Sequence, residues 1–230
     1  MTNPHRIVEV SAITGFLTIE AFLAWRVCQA AQGLDWCSVG LGLLAGYIAA
    51  DFMSGLIHWG FDRYGTVNTP IVGQHYVKPF REHHVDEKAM TLHDFVETNG
   101  NNSVATSIVL LPALAVPLHT GATISLFAVP MLAGLALAVF GTNQFHKWSH
   151  VDQPPAIVAF LQRAHLILGV QHHQVHHTPP FDRYYCITTG WLNPVLDKLR
   201  FFARLEGVVL ALTGVRAGED DSRQTRHTQL

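Results

Sequence analysis

Residues 171–177 read Gln-His-His-Gln-Val-His-His, which places His172, His173, His176 and His177 within seven positions. Two other stretches carry paired histidines, Arg81-Glu82-His83-His84 and His146-Lys147-Trp148-Ser149-His150. Neutral imidazole is the commonest metal ligand near physiological pH, and spacings of three or four residues put side chains on one helix face. Three such groups in one chain point to a polynuclear metal site. Within the 171–177 run, His172 and His176 stand one turn apart, as do His173 and His177. One and a half turns could thus build two adjoining ligand faces and serve two metals, before Pro179-Pro180 end the helix. The bland alternative is a surface histidine tract that binds metal by accident.

Other candidates lie at the ends of apolar stretches. Asp51, His58 and Asp62 follow i, i+7, i+11, and Asn143, His146 and His150 follow i, i+3, i+7, each set on one helix face. An ionised Asp facing lipid costs about 2.5–3.5 kcal/mol, so Asp51 should face the bundle interior, either as a structural hydrogen-bonding group or as part of the site. An HxxxH pair taken alone is equally well two surface histidines. Adjacent histidines such as His83 and His84 can bind different metals, or act as a ligand and its support. His93, Glu97 and Asn101 at i, i+4, i+8 make a further face, from which His93 joins the candidate ligands; Asn101 and His172 stay open. His75 could join the ligands, although an isolated loop histidine is more often just solvated, and His5, His119, His165 and His227 read as ordinary histidines.

About nine histidines with one or two carboxylates or amides exceed what one zinc ion uses, three protein ligands when catalytic and four when structural. Two metals are needed to employ them. Imidazole-rich sites suit iron, zinc, copper and nickel, and iron adds oxygen activation. Cys28, Cys37 and Cys186 form no CxxC pair, so neither a disulfide framework nor a thiolate site is implied.

The elements that must hold these residues read as membrane helices. Charged residues make up 14% of the chain, against a soluble norm of about 25%, which favours an all-α integral membrane protein. Four stretches, about 7–30, 36–59, 104–118 and 122–143, approach the roughly 20 apolar residues a crossing needs. Pro112 and Pro117 interrupt the third. The short links 31–35 and 119–121 make tight hairpins, and the first stretch reads as a retained span rather than a cleaved signal. The links contain no Lys or Arg, whereas Arg63, Lys78, Arg81, Lys88, Lys147, Arg163, Arg183, Lys198 and Arg200 fall on the other side, which the positive-inside rule makes cytoplasmic. All three histidine groups then face the cytoplasm, in a bacterial inner membrane. Residues 157–169, and Phe201, Phe202, Leu205, Val208, Val209 and Leu212 at helical spacing, read as interfacial helices. The expectation is a membrane-embedded domain over 1–215 and a polar, disordered tail over 216–230. A net charge of −2 without a basic stripe excludes nucleic-acid binding.

Several multi-residue motifs carry a resemblance. Gly55-Leu-Ile-His-Trp-Gly-Phe-Asp62, Pro79-Phe-Arg-Glu-His-His84, His93-Asp-Phe-Val-Glu-Thr-Asn-Gly100, Asn143-Gln-Phe-His-Lys-Trp-Ser-His150 and Tyr185-Cys-Ile-Thr-Thr-Gly-Trp-Leu-Asn-Pro-Val-Leu-Asp197 are similar to the lipid desaturase family, over about residues 45–202. That family includes the plasmanylethanolamine desaturase branch, which the chain resembles most, the Kua proteins, and a chloroplast phosphatidylglycerol palmitate desaturase. The resemblance implies that His58, Asp62, His83, His84, His146, His150, His173, His176 and His177 hold two iron ions. It further implies O2 as co-substrate, a membrane phospholipid as substrate, and electrons from a carrier such as cytochrome b5 or ferredoxin. In the nearest branch the product is a vinyl ether; an acyl-chain desaturase or a hydroxylase would use the same metals. A metal transporter would spread its ligands through the bundle depth, where only Asp51 lies. A single-zinc hydrolase leaves most of the histidines unused, and haem needs intramembrane histidines that the span centres lack.

Overall fold

The computed structural model describes residues 4–70 and 72–218, and among these every long regular element is a helix. In chain order these are α1 (Pro4–Ala30), α2 (Asp35–Arg63), α3 (Lys78–Glu82), α4 (Phe95–Ala115), α5 (Thr123–Ser149), α6 (Ala156–Arg163), α7 (Val170–Gln174), α8 (Asn193–Lys198) and α9 (Phe201–Thr213), with a π turn over Gly73–Val77 and a 3-10 turn over Ala89–Leu92. The side chain of His75, and His227 with residues 219–230 of the expected tail, lie outside what is described. The chain forms two compact units. One comprises the residues up to Met53 with His93–Trp148, the other Ser54–Leu92 with the chain from Ser149 onward. Helices α2 and α5 run from one unit into the other.

The first unit is a helical bundle whose core is made by α1, α4 and α5. Phe16, Leu23, Leu110, Leu126 and Val129 are fully buried, and the rings of Phe16 and Phe140 lie 4.8 Å apart. Close approach of α2 to α5 depends on glycines. A Cβ on Gly42 would stand 2.3 Å from the Phe127 carbonyl oxygen, and one on Gly46 2.2 Å from that of Met131, so the Gly42-Leu-Leu-Ala-Gly46 spacing lets the two backbones touch.

Of the four expected crossings, α1, α2 and α5 are long and apolar enough to span a bilayer. The other, α4, starts nine residues earlier than its apolar pattern. Asp94 supplies the reason, since its carboxylate accepts from Val96 and Glu97 N–H at 2.9 and 3.0 Å and caps the helix there. The first turns therefore carry Glu97, Asn99, Asn101 and Asn102, which dilute its apolarity. Arg6 grips Asp94 through two N–H groups at 2.8 Å each. At the other end, the Arg26 guanidinium donates to the carbonyls of Ala113, Leu114 and Val116 at 3.2, 2.9 and 2.6 Å, satisfying acceptors that the last turn leaves open.

In the second unit, Trp59 from the end of α2, Tyr185 and Phe202 form the core, with Leu205 and Val209 of α9 packed on it. Glu206 fixes α9 by accepting from Arg63 Nε at 2.8 Å and Trp59 Nε1 at 3.3 Å. Val208 and Leu212 on the same helix stay exposed, and so do Ile157 and Phe160 on α6, which keeps both helices amphipathic as their sequences predict. The helical pattern of 157–169 stops early, because α6 ends at Arg163 and His165 takes φ 55°.

Candidate metal centre

Four short pieces of the second unit converge: the last turns of α2, the turn after α3, the chain just past α5, and residues 170–190. His58, Asp62, His84 and His176 offer ligand atoms within 4.8 Å of one another, and His83, His150, His173 and His177 form a second such group. All are buried except His84, which is nearly so. Adjacent histidines separate, His83 to one group and His84 to the other, and likewise His177 and His176.

In the first group Asp62 is the hub. Its Oδ2 lies 3.3 Å from His58 Nε2, 3.1 Å from His84 Nε2 and 3.3 Å from His176 Nε2. Two of these rings are oriented from behind. His58 Nδ1 donates to the Tyr185 carbonyl at 3.1 Å, and His176 Nδ1 to the Arg183 carbonyl at 2.8 Å. Carbonyls only accept, so each ring is protonated at Nδ1 and turns the Nε2 lone pair toward Asp62, the tautomer a metal requires. Asp62 Oδ1 and His176 Nε2 are buried without hydrogen-bond partners.

The second group has three converging rings. His173 Nε2 lies 3.1 Å from His150 Nε2 and 2.9 Å from His177 Nε2. Nitrogens bound to one ion at about 2.1 Å and at right angles stand about 3 Å apart, so these spacings suit a shared ion. His83 Nδ1 faces the Phe80 carbonyl. Behind His177 and His150 stands Glu87, whose carboxylate oxygens lie 3.1 Å from His177 Nδ1 and 3.6 Å from His150 Nδ1. Both are near contacts rather than hydrogen bonds. Burial holds the His83, His150 and His177 imidazoles neutral. It pushes His83 well below its usual value, His177 down to about 2 with crowding by neighbouring imidazoles, and His150 down to about 4 with help from the Lys88 charge. Neutral imidazoles, one carboxylate and unsatisfied buried donor atoms fit a pair of divalent cations.

Residues 185–190 set this geometry. Cys186 N–H donates to Asn193 Oδ1 at 2.8 Å, Asn193 Nδ2 donates back to the Cys186 carbonyl at 2.9 Å, and Ile187 N–H donates to Ser54 Oγ at 3.0 Å. The approach to α2 is tight enough that a Cβ on Gly55 would meet Cys186 Sγ at 2.6 Å.

Of the remaining candidates, all but His146 are placed elsewhere. His93 belongs to the first unit, is exposed, and lies 3.7 Å from Glu97; it is in neither group. It directly precedes the cap residue Asp94, which Arg6 holds. Asn101 is exposed, Asn143 donates to the Thr98 carbonyl at 3.4 Å, and Asp51 is buried inside the first unit. His172 Nε2 faces Asn193 Nδ2 at 3.1 Å, tied to the support rather than to either group. His146 is buried on α5, one turn before His150. Glu87 and the carbonyls of Arg183 and Tyr185 were not expected. A carboxylate three residues after His84 was a usable signal, whereas backbone acceptors leave no trace in residue type.

A family model described as lipid desaturase domain matches residues 47–220. The chain belongs to the lipid desaturase family. Membership makes it an oxidoreductase that desaturates lipid, and with three membrane-capable helices, a membrane protein. This desaturase is 45% identical to a plasmanylethanolamine desaturase of Myxococcus xanthus over 94% of its own length and 76% of the relative's. It is likewise 45% identical to plasmanylethanolamine desaturase 1 of Mus musculus, over 80% of its own length and 69% of the relative's. A chloroplastic fatty acid desaturase 4-like 1 of Arabidopsis thaliana is 32% identical over 99% of this desaturase and 76% of the relative. No solved structure matches.

Proposed function

We propose that the protein is a di-iron lipid desaturase that converts the alkyl ether chain of a plasmanyl phospholipid into a vinyl ether. The observation that carries this reading is the pair of adjoining buried donor groups, one built on Asp62 and one entirely of imidazole. In the proposed ligand set His58, Asp62, His84 and His176 hold one iron. His83, His150, His173 and His177 hold the other, joined by His146, which its spacing from His150 puts on the same helix face. When bound, iron supplies the oxidising power for an unactivated C–H bond through O2. Overall the lipid gives up two hydrogens, a separate carrier such as cytochrome b5 or ferredoxin gives two electrons, and O2 with two further protons leaves as two waters. The chain's own residues orient the imidazoles and bury the donor atoms from bulk water. The catalytic domain extends over residues 1–215, in a bacterial inner membrane with the centre facing the cytoplasm.

The ether choice rests on the two plasmanylethanolamine desaturases among the relatives. An acyl-chain desaturase is the second reading, favoured by similarity to the Arabidopsis protein. Lipid mass spectrometry decides between them, on membranes of plasmalogen-free cells expressing the protein and fed alkyl-ether lysophospholipid. An acid-labile product two mass units lighter is the expected result. Loss of two hydrogens from acyl chains alone would overturn the ether assignment, and oxygen retained in the product would make the enzyme a hydroxylase.

A further inference from the structure

Beside Asp62 and His84 lies a cavity of about 280 Å3, walled by Arg63 and Arg81 on its polar part and by Val85, Pro180 and Phe181 on its apolar part. Both arginines are held in place. Arg63 Nε donates to Glu206 at 2.8 Å, and an Nη of Arg81 donates to the Gly65 carbonyl at 2.9 Å. A guanidinium carries five N–H donors in a rigid fork, so one that is already anchored can grip a further acceptor with little loss of freedom. The acceptor that suits two such forks is a phosphate oxygen pair. The one carboxylate in the wall, Asp62, faces three imidazole nitrogens and is engaged by them.

Depth selects the source of that phosphate. Arg63 is the last residue of α2, a helix apolar enough to cross a bilayer, so the cavity lies where the hydrocarbon ends and lipid headgroups begin. Size agrees, because the volume falls just below the range of pockets that enclose whole drug-sized ligands, room for a headgroup fragment rather than a complete lipid. We infer that this cavity seats the phosphodiester of the lipid substrate, with Arg81 as its main contact and Arg63 as its second, while Phe181, Pro180 and Val85 receive the first carbons beyond it. The inference builds on the lipid desaturase reading above and adds how that substrate is selected. It also explains why an interfacial cavity adjoins the donor group: a chain carbon only a few bonds from the phosphate reaches Asp62 and His84 without a deep tunnel.

The test is binding rather than turnover, so that it stands apart from the desaturase assignment. Iron-loaded protein in detergent is titrated with dihexanoyl phosphatidylethanolamine and with dihexanoylglycerol, and the bound lipid is counted by native mass spectrometry. The wild type should prefer the phospholipid about tenfold or more, Arg81→Gln should lose that preference, and Arg81→Lys should keep part of it, with iron content unchanged in both. Equal affinity of the wild type for the two lipids, or an undiminished preference in Arg81→Gln, would overturn the inference. Displacement of the phospholipid by inorganic phosphate at equal concentration would overturn the lipid assignment. Should Arg81→Gln lose iron or fold poorly, the decision passes to Arg63→Gln and Arg81→Lys, and an intact preference in both would reject the site. Absence of a desaturated product with bound lipid would instead remove the desaturase reading.

Discussion

Replacing Gly55 with valine should cost the protein the proposed iron before it costs the fold. The glycine sits on α2 against residues 185–187, and an added Cβ would lie 2.6 Å from Cys186 Sγ, 3.3 Å from Cys186 N and 3.4 Å from its Cα. Ordinary carbon contacts lie at about 3.5–4.0 Å, so the segment must retreat by roughly 1 Å, more for the valine methyls than for alanine. His58 is one turn further along α2, and its Nδ1 is 3.1 Å from the Tyr185 carbonyl. Adding about 1 Å takes that pair beyond hydrogen-bonding range and frees the ring to rotate. Overpacking of this kind costs about 1–3 kcal/mol of stability, and losing a ring-orienting partner costs about 10–100-fold in metal affinity. The assay is iron per chain after dialysis against a graded chelator series, with the melting temperature of the metal-free protein measured alongside. Gly55→Ala should fall between wild type and Gly55→Val. A Gly55→Val protein that holds iron as tightly as wild type would refute the argument that this contact sets the ring.

Other perturbations have equally definite outcomes. Glu87→Ala should weaken iron binding about 10–100-fold while Glu87→Gln, which keeps an acceptor oxygen, loses less, as read by the same chelator competition; equal retention in all three proteins would mean that the carboxylate does not orient His177. Arg26→Leu should destabilise the protein by about 2–3 kcal/mol in a detergent melt, because three carbonyls lose a charged donor; an unchanged melt would show that water replaces it. The Arg6 hydrogen bond and the backbone N–H of Glu97 pull the Asp94 carboxyl down to about 2. Because the folded value is depressed, its stabilisation is complete above the unfolded value near 4 and fades as pH falls toward 2. Asp94→Asn should flatten the dependence of the melting temperature between those pH values, and identical slopes in the two proteins would count against the pairing.

Much of the centre could be read from residue type and spacing, for a simple reason: metal ligands must be particular side chains, and a helix repeats every three to four residues. His58 with Asp62 follows that rule on α2. Where it misleads, a local structural choice has intervened. The 171–177 run suggests one helix with two faces, yet α7 stops at Gln174, and His176 and His177 sit in the turn beyond it. Their division between the groups is therefore made by a turn rather than by helical periodicity. His93 looks like another helical ligand with Glu97 and Asn101, but Asp94 caps α4 directly after it and leaves His93 at an exposed end. The early start of α4 has the same origin, since a cap residue outweighs several polar residues in the first turns. Least legible are the supports. The glycines at 42 and 46 act through backbone contact, and Arg183 and Tyr185 act through carbonyls that any residue would carry.

Those two carbonyls come from positions only two residues apart, in a stretch where Phe181 and Tyr184 both take positive φ. They hold rings that reach the centre by separate routes, one from a long helix and one from a turn. The rings are thus thermodynamic partners through the chain behind them as well as through Asp62, which both face. Disturbing the stretch once releases both, and a second disturbance has little left to release. In a double-mutant cycle, substitutions at 183 and 185 should sum to far less than their separate effects on metal retention. Nor can one ring's angle be tuned there without moving the other, so the path of the chain is fixed at these positions, and the buried Tyr185 side chain in the core with Trp59 and Phe202 fixes it further.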